Sequence, residues 1–506
     1  MSDPMNPNAI RKVVVAGRDA AAWLTALGLQ RALAPAGVTV EVVELPGLLR
    51  PCDTYASLPA LDALHRLLGF EEYAVLKATS GTYSLGQSFA NFSRTAPPFF
   101  HPYGTHGAPV NRVPFLQYWL KARASGLKVD FEDFSLTASA AKQNRFFVPT
   151  ADIASFGRFD YGYHMRAGAY VGFLRAEGFR RGIKVTPARR IDIKLDTATG
   201  HVAALVTDGG QTVEGDLFID ATGAESLILG EVLKTPFERW SQWFPDNRVL
   251  TVSAEKLRVL PPFSQVRALA ESTLLLTPLQ DATSVQHLYD AEHMKDSEAL
   301  ETASVISGLR LRDDAVAAKV EAGRRASAWV GNCVGIGEAA CVLSPVDNVG
   351  LHAIHLGLAH LIAMFPVDRH FELDAAEYNR GMTMSLERLR DFQIAHYKLN
   401  RNIDQPYWDH MRSVAAPPEL DYKIELFKAR GQVALYDDET FQLDDWLSIF
   451  IGHGLTPRSY DPLVDITADD VAIGHFQGML NFIKTQVGEM SSHDAYIELY
   501  AARDFA

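Results

Sequence analysis

Hydrophobic and polar positions along the chain fall into a strand–helix–strand opening, a mixed middle and a helical end. Val13, Val14 and Val15 form a β-branched run, as in strands buried on both faces of a parallel sheet. Gly17 breaks the run, and Ala20–Leu27 (AAAWLTAL) has high helix propensity. Val38–Glu44 (VTVEVVE) then alternates and ends on a carboxylate. Strand, glycine turn, helix and strand predict a dinucleotide-binding βαβ unit. Its helix N-terminus, around Gly17, Arg18, Ala20 and Ala21, would offer backbone N–H groups to a pyrophosphate. Glu44 lies 27 residues after Gly17, which suits a carboxylate that accepts hydrogen bonds from an adenosine ribose. A βαβ unit of another α/β protein would read the same way on this stretch alone.

Further on, Pro51–Gly69 predicts a loop and a helix with Leu61, Leu64, Leu67 and Leu68 on one face. Thr82–Phe92 alternates as one strand, and Pro97–Val113, rich in Pro, Gly, His and aromatics, predicts a long ordered loop. Ala167–Gly182 predicts an amphipathic helix with Tyr170, Phe173, Leu174 and Phe179 apolar, leading to a strand at Ile183–Val185. Ile191–Leu205 reads as a hairpin and Gly215–Asp220 as a buried strand, followed by Ala221–Thr222–Gly223. A strand at Ser327–Gly331 precedes a Gly/Ala-rich segment, and a long helix starts near Leu351. Helical patterns dominate from Phe371 onward. The organisation predicted is an α/β nucleotide domain over 1–370, discontinuous because a β-sheet substrate region is inserted, and a helical region over 371–506 packed on it.

Composition narrows the class. A chain of 506 residues with 47% hydrophobic and 22% charged residues is an ordinary globular protein of two or three domains. Its net charge of −13 argues against non-specific nucleic-acid binding, which needs a basic surface. Three cysteines, Cys52, Cys333 and Cys341, show no CxxC spacing and fit a reducing cytoplasm. There is no secretory signal pattern at the start, and no uninterrupted apolar run of about 18 residues suggests a membrane span. His101 and His106 lack companion ligands at metal spacing, so no metal site is expected.

In chain order, several segments resemble the flavin-dependent tryptophan halogenase family, a branch of the single-component flavoprotein monooxygenase fold. They are the opening turn, Ala56–Pro59 (ASLP), Phe99–Gly107 (FFHPYGTHG), Phe218–Gly223 (FIDATG), Gly331–Ala340 (GNCVGIGEAA), Ser344–Gly350 (SPVDNVG), Asp391–Asn400 (DFQIAHYKLN) and Leu455–Leu463 (LTPRSYDPL). The resemblance implies a Rossmann-like FAD domain with a mostly helical substrate-covering region. It adds Asp220, Gly223, Gly337 and Gly350 to the FAD contacts. It also implies an aromatic substrate, small or borne on a peptide, lined by His101, His352, Phe392 and Trp408. Further implications are reduced FAD delivered by a separate flavin reductase, molecular oxygen, and a homodimer, because the family often dimerises.

The family's enzymes oxidise halide with reduced FAD and oxygen, and a lysine and a glutamate handle the electrophile and the ring proton. Here the lysine position falls on Ser84, the glutamate position on Asp347, and the W-x-W-x-I-P motif on Thr273–Pro278, TLLLTP. Lys77, seven residues before Ser84, is expected at the surface. Asp19 and Ala22 replace the second and third glycines of the nucleotide fingerprint. A carboxylate ~4–5 Å from a phosphate costs roughly 3–4 kcal/mol per charge pair at an effective dielectric of about 20, which Arg18 offsets in part. Two functions follow. One is an FAD-dependent oxidoreductase of an indole or other aromatic, with Asp347 as base. The other is a degenerate member that binds an aromatic or peptide ligand with weak or no FAD affinity.

Overall fold

The computed structural model describes residues 8–149 and 158–501. The chain forms two compact units, each from three segments: the first from residues up to Ser80, Met165–Arg248 and Ala318–Arg388, the second from Gly81–His164, Val249–Ala317 and Leu389 onward. The division after residue 370 that the sequence suggests falls inside the last segment of the first unit, and Glu372–Lys398 is one helix.

A sheet runs through the first unit in the order Trp329–Val330, Cys333–Gly335, Leu217–Ala221, Lys12–Gly17, Thr39–Glu44, Lys184–Pro187. Every pairing is parallel except the outermost, Trp329–Val330 with Cys333–Gly335. This is the α/β architecture that the opening pattern predicts. Val13, Val14, Val15 and Ala16 are fully buried, which explains their unbroken apolar character. Lys12–Gly17 pairs with Thr39–Glu44 on one side and Leu217–Ala221 on the other. The crevice beyond its C-terminal end is therefore a topological switch point, where ligands bind in open α/β sheets.

The helix Asp19–Leu33 buries Trp23, Leu24 and Leu27 completely, each stabilising the fold by about 1.5–3 kcal/mol. The predicted hairpin forms as Ile191–Leu195 and Val202–Thr207, antiparallel. Two apolar positions leave their expected faces. In the helix Ala60–Leu68, Leu61, Leu64 and Leu68 are buried but Leu67 is 59% exposed, because one residue is a turn of about 100° away from Leu68. Phe179 is half-exposed, its ring covering Trp23 at 6.0 Å beneath the Arg175 guanidinium at 4.9 Å.

The second unit is organised on a seven-stranded sheet, six neighbouring strands of which run in the order Arg248–Ala254, Thr283–Tyr289, Thr273–Pro278, Ser264–Ala268, Gly86–Ala90, Phe99–Pro102, with Val316–Lys319 at the edge beside Arg248–Ala254. Thr82–Phe92 is not one strand. It splits into Thr82–Ser84 and Gly86–Ala90 at Gly86, whose φ of +147° and approach to the His101 carbonyl admit no Cβ. The predicted loop Pro97–Val113 contains a strand, Phe99–Pro102, paired with Gly86–Ala90. Its consecutive aromatics hid that strand, because buried polar His101 interrupts no apolar alternation. Thr273–Pro278 is buried along its whole length, with Leu274 and Leu276 packed on Val252, Val285 and the helix residues Ala299 and Ala303.

Candidate functional site

In the first unit, the turn after Lys12–Gly17 is set by close strand approach. A Cβ on Gly17 would sit 2.4 Å from the Ala221 carbonyl oxygen, so the sheet register itself demands glycine. Gly17→Ala should destabilise this unit by about 3 kcal/mol, the upper part of the overpacking range, because backbone cannot give way. Chemical denaturation would show it as a lower midpoint at unchanged slope. Arg18 donates its N–H to the Ala221 carbonyl at 3.1 Å. Its guanidinium is nine-tenths buried and bonds Glu225 at 3.1 Å, while its Nε has no hydrogen-bond partner. Gly337, at φ +67°, places its backbone against Ala21, and Gly223 is also left-handed, at +83°. Gly17, Arg18, Ala20, Ala21, Gly223 and Gly337 thus belong to one neighbourhood at the start of the helix.

Glu44 ends its strand beside Gly17 in register. It accepts hydrogen bonds from Arg175 Nε at 2.9 Å and Trp23 Nε1 at 3.1 Å. It also lines a cleft of ≈ 590 Å³ with Pro46, Ala188 and Arg189. Asp220 is structural: fully buried, it accepts from the backbone N–H groups of Thr222, Ile228 and Leu229 and from the Thr222 hydroxyl at 2.6 Å.

Sequence reading found Asp19 but missed the acids that join it at this turn. Asp19 adopts a left-handed φ of +57°, and its carboxylate accepts the Leu48 N–H at 3.1 Å. The carboxylate thereby ties the loop after Glu44 back to the turn. Burial raises the Asp19 carboxyl above its ordinary range, the Leu48 bond and Arg18 opposing. Asp53 is raised by burial and, more weakly, by Asp19. Glu338, whose carboxylate lies 4.0 Å from where a Cβ on Gly223 would sit, is raised by lost hydration and then by Asp19 and Asp53. Tyr55 accepts the Ala20 N–H and is raised by burial and by the same three carboxylates. No spacing rule links residues 19, 53 and 338, because only the fold gathers them.

The segment resembling the halide/flavin loop also lies in the first unit. Asp347 and Asn348 are buried and left-handed, at φ +66° and +58°, a conformation that Asp and Asn tolerate better than most residues. Gly350 opens the helix Gly350–Ala363. One turn on, His352 and His355 have ring centroids 6.0 Å apart. Burial and then His355 push His352 down to about 3, and burial lowers His355, so both are neutral at pH 7.

In the second unit, Ser84 is completely buried and its hydroxyl donates to the Gly86 carbonyl at 3.2 Å. Lys77, in the first unit, is exposed, over the Tyr73 ring. His101 and Phe392 do come together, ring centroids 5.5 Å apart. Phe392 stacks on Phe441 at 3.6 Å and meets Trp446 edge-on at 4.9 Å. His101 Nε2 bonds Asp445 at 2.9 Å, and its buried Nδ1 has no partner. The result is a buried aromatic cluster with one unpartnered ring nitrogen. Trp408 is not in it: fully buried, it donates Nε1–H to the Leu269 carbonyl at 2.6 Å and packs on Phe92 and Tyr397. Among the described residues no cluster of three or more His, Cys, Asp or Glu is arranged to hold a metal, and no helix is long and apolar enough to cross a membrane.

The glycine turn, a helix N-terminus without a side-chain cap and the buried, unpartnered Arg18 Nε fit the pyrophosphate of a dinucleotide, and Glu44 beside its cleft fits the ribose. The neighbouring carboxylates bear on how tightly such a group is held.

A family model described as tryptophan halogenase matches residues 12–469. BrvH, a flavin-dependent halogenase from Brevundimonas sp. BAL3, is 32% identical in sequence. It superimposes with a TM-score of 0.91, over 97% of this chain and 99% of its own. Xcc4156, a flavin-dependent halogenase from Xanthomonas campestris, is 29% identical with a TM-score of 0.93, over 97% and 98%. Tryptophan 7-halogenase KtzQ from Kutzneria sp. is 26% identical over 507 aligned residues, 92% of this chain and 93% of that protein.

Proposed function

Because this chain belongs to the tryptophan halogenase family, we propose that it is a flavin-dependent oxidoreductase acting on an indole or another aromatic group. The observation that carries the reading is the parallel-sheet switch point, with its glycine turn, helix N-terminus and buried Arg18. Arg18, Ala20, Ala21, Gly223 and Gly337 would hold the FAD pyrophosphate side, Glu44 the ribose and Gly350 the flavin end. FAD reduced by a separate flavin reductase would supply the two electrons that activate O2, the oxidant of the reaction. A homodimer of the cytoplasm, acting on a free or peptide-borne aromatic, completes the reading.

The chain's own residues define the rest of the chemistry. In the second unit, the buried cluster of Phe392, Phe441 and Trp446 beside the unpartnered His101 Nδ1 would form the wall of an aromatic substrate site. Asp347 serves as the base that takes the ring proton. The neutral Ser84 hydroxyl donates one hydrogen bond and forms no N–halogen bond. Halogen transfer, where it occurs, proceeds without a lysine-held electrophile.

Calorimetric titration with oxidised and reduced FAD tests the reading. Saturable binding by about 100 μM is expected, and none at that concentration, equivalent to about 5.5 kcal/mol, overturns it. Product mass spectrometry with a reductase, O2, bromide or chloride, and an indole then identifies the oxidation. Asp347→Asn keeps a side chain that tolerates the left-handed backbone. It should leave FAD affinity and Tm unchanged while lowering kcat by about 10²–10⁴-fold. An unchanged kcat would reduce Asp347 to a turn residue.

A further inference from the structure

A cleft of ≈ 800 Å³ opens in the second unit between the segment around Phe99, the helix Phe115–Ala124 and residues 454–460. Its lining includes none of Ser84, His101, Phe392 or Trp408. The floor is aromatic: His106 stacks on Phe131 at 4.6 Å and 15°, and Trp119 meets Phe131 edge-on at 5.3 Å. All three are buried. Arginines stand at its edge. Arg123 lies over Trp119 at 5.4 Å, while Arg401 and Arg458 are exposed and make no salt bridge among the described residues.

The acids do not balance these cations. Glu132 is paired with Lys142 at 2.5 Å and accepts the Phe100 N–H at 2.7 Å. Glu425, the carboxylate that feels Arg458, is paired with Lys428 at 2.9 Å. Asp444 is held by the His106 backbone and ring at 2.8 and 3.2 Å. Besides Glu132, Asp130 is the carboxylate in the lining, against the three arginines Arg123, Arg401 and Arg458. Guanidinium groups both stack on rings and grip carboxylates in a bidentate fork, and the volume is that of a small-molecule pocket.

We propose that this cleft is a second binding site, for a planar aromatic small molecule carrying a carboxylate or similar anionic group. The ring lies against Trp119 and Phe131, and the anion is held by Arg401 and Arg458. The inference rests on the cleft alone and not on the flavin reading.

The test is calorimetric titration of the full chain with 1-naphthoate, 1-naphthyl phosphate and uncharged 1-naphthamide. Saturable naphthoate binding is expected, at least tenfold tighter than the amide and weakening between 50 and 500 mM salt. Arg401→Gln/Arg458→Gln should weaken naphthoate at least tenfold, to the level of the amide, with Tm and FAD affinity unchanged. The phosphate arm distinguishes the anion: tighter binding of the phosphate assigns the site to phosphorylated aromatics within the same class. Equal binding of naphthoate and amide by the unaltered protein overturns the proposal, and does so even if the double variant fails to fold. Wild-type affinity in a folded double variant also overturns it. So does an acidic aromatic peptide that saturates at these arginines while naphthoate does not.

Discussion

Asp19→Asn should tighten FAD binding about tenfold, or about 1.4 kcal/mol, and flatten its pH dependence. Asparagine keeps an oxygen that accepts the Leu48 N–H, now 3.1 Å from the carboxylate, and it tolerates the left-handed φ of +57°. Only the charge is removed. The bare repulsion of roughly 3–4 kcal/mol at ~4–5 Å from a phosphate is reduced by Arg18 and by solvent at the open side of the recess, which leaves about tenfold. The sign of the pH effect follows from the raised carboxyls of Asp19, Asp53 and Glu338. A pyrophosphate dianion raises them further, so FAD binding takes up protons. Affinity in the unaltered protein therefore falls as pH rises from the ordinary carboxylate range toward neutrality. Titrations in two buffers of different ionisation enthalpy would measure that uptake. Unchanged affinity and uptake in Asp19→Asn would place the pyrophosphate away from this turn. Glu338→Gln is the companion variant, because its carboxyl is raised by the same neighbours.

The raised carboxyls also bear on the native state without ligand. Each binds protons more tightly folded than unfolded. Their contribution therefore favours the fold at low pH and is lost as pH rises through their raised range. A first unit strained in this way at neutral pH is stabilised by whatever cation or hydrogen-bond donor enters the recess. The tie from Asp19 to Leu48 shows what offsets the strain: the carboxylate fixes the loop that leads from Glu44.

Local pattern was enough for the first unit because its chemistry is local. Val13–Val15, Gly17 and Val38–Glu44 declare strand, turn and second strand within one βαβ unit, and Gly17 and Glu44 pair in register. Tertiary packing hid the rest. Asp53 and Glu338 reach Asp19 from distant segments. The family resemblance made Trp408 a substrate platform, yet its indole N–H is bonded to the Leu269 carbonyl. Phe441 and Trp446, which complete the cluster around Phe392, sat unremarked in a helical pattern, since stacking at 3.6 Å leaves no trace in spacing. Ser84 is the reverse case: its identity showed in the sequence, while its hydrogen bond to Gly86 depends on a strand break that alternation did not reveal.

That cluster rests on a buried ion pair, and breaking the pair is the largest stability change expected. Lys423 and Glu439 side chains are each 3% exposed and bonded to one another. Glu439 also accepts from Trp446 Nε1 at 2.8 Å and the Tyr436 N–H at 3.2 Å, while the Lys423 ammonium sits 4.3 Å from the Trp446 ring centroid. Lys423→Met leaves Glu439 buried without its counter-charge and should destabilise the second unit by about 3–5 kcal/mol. Glu439→Gln strands the ammonium and should cost a similar amount. The double variant restores neutrality and should recover most of the loss, because two desolvated charges repay little more than their own burial. Chemical denaturation followed by tryptophan fluorescence supplies the double-mutant cycle. Additive losses would mean that the two charges act independently. Coupling would mean that the two charges act as one element, the one that holds Trp446 through the Glu439 hydrogen bond at 2.8 Å and the Lys423 cation at 4.3 Å.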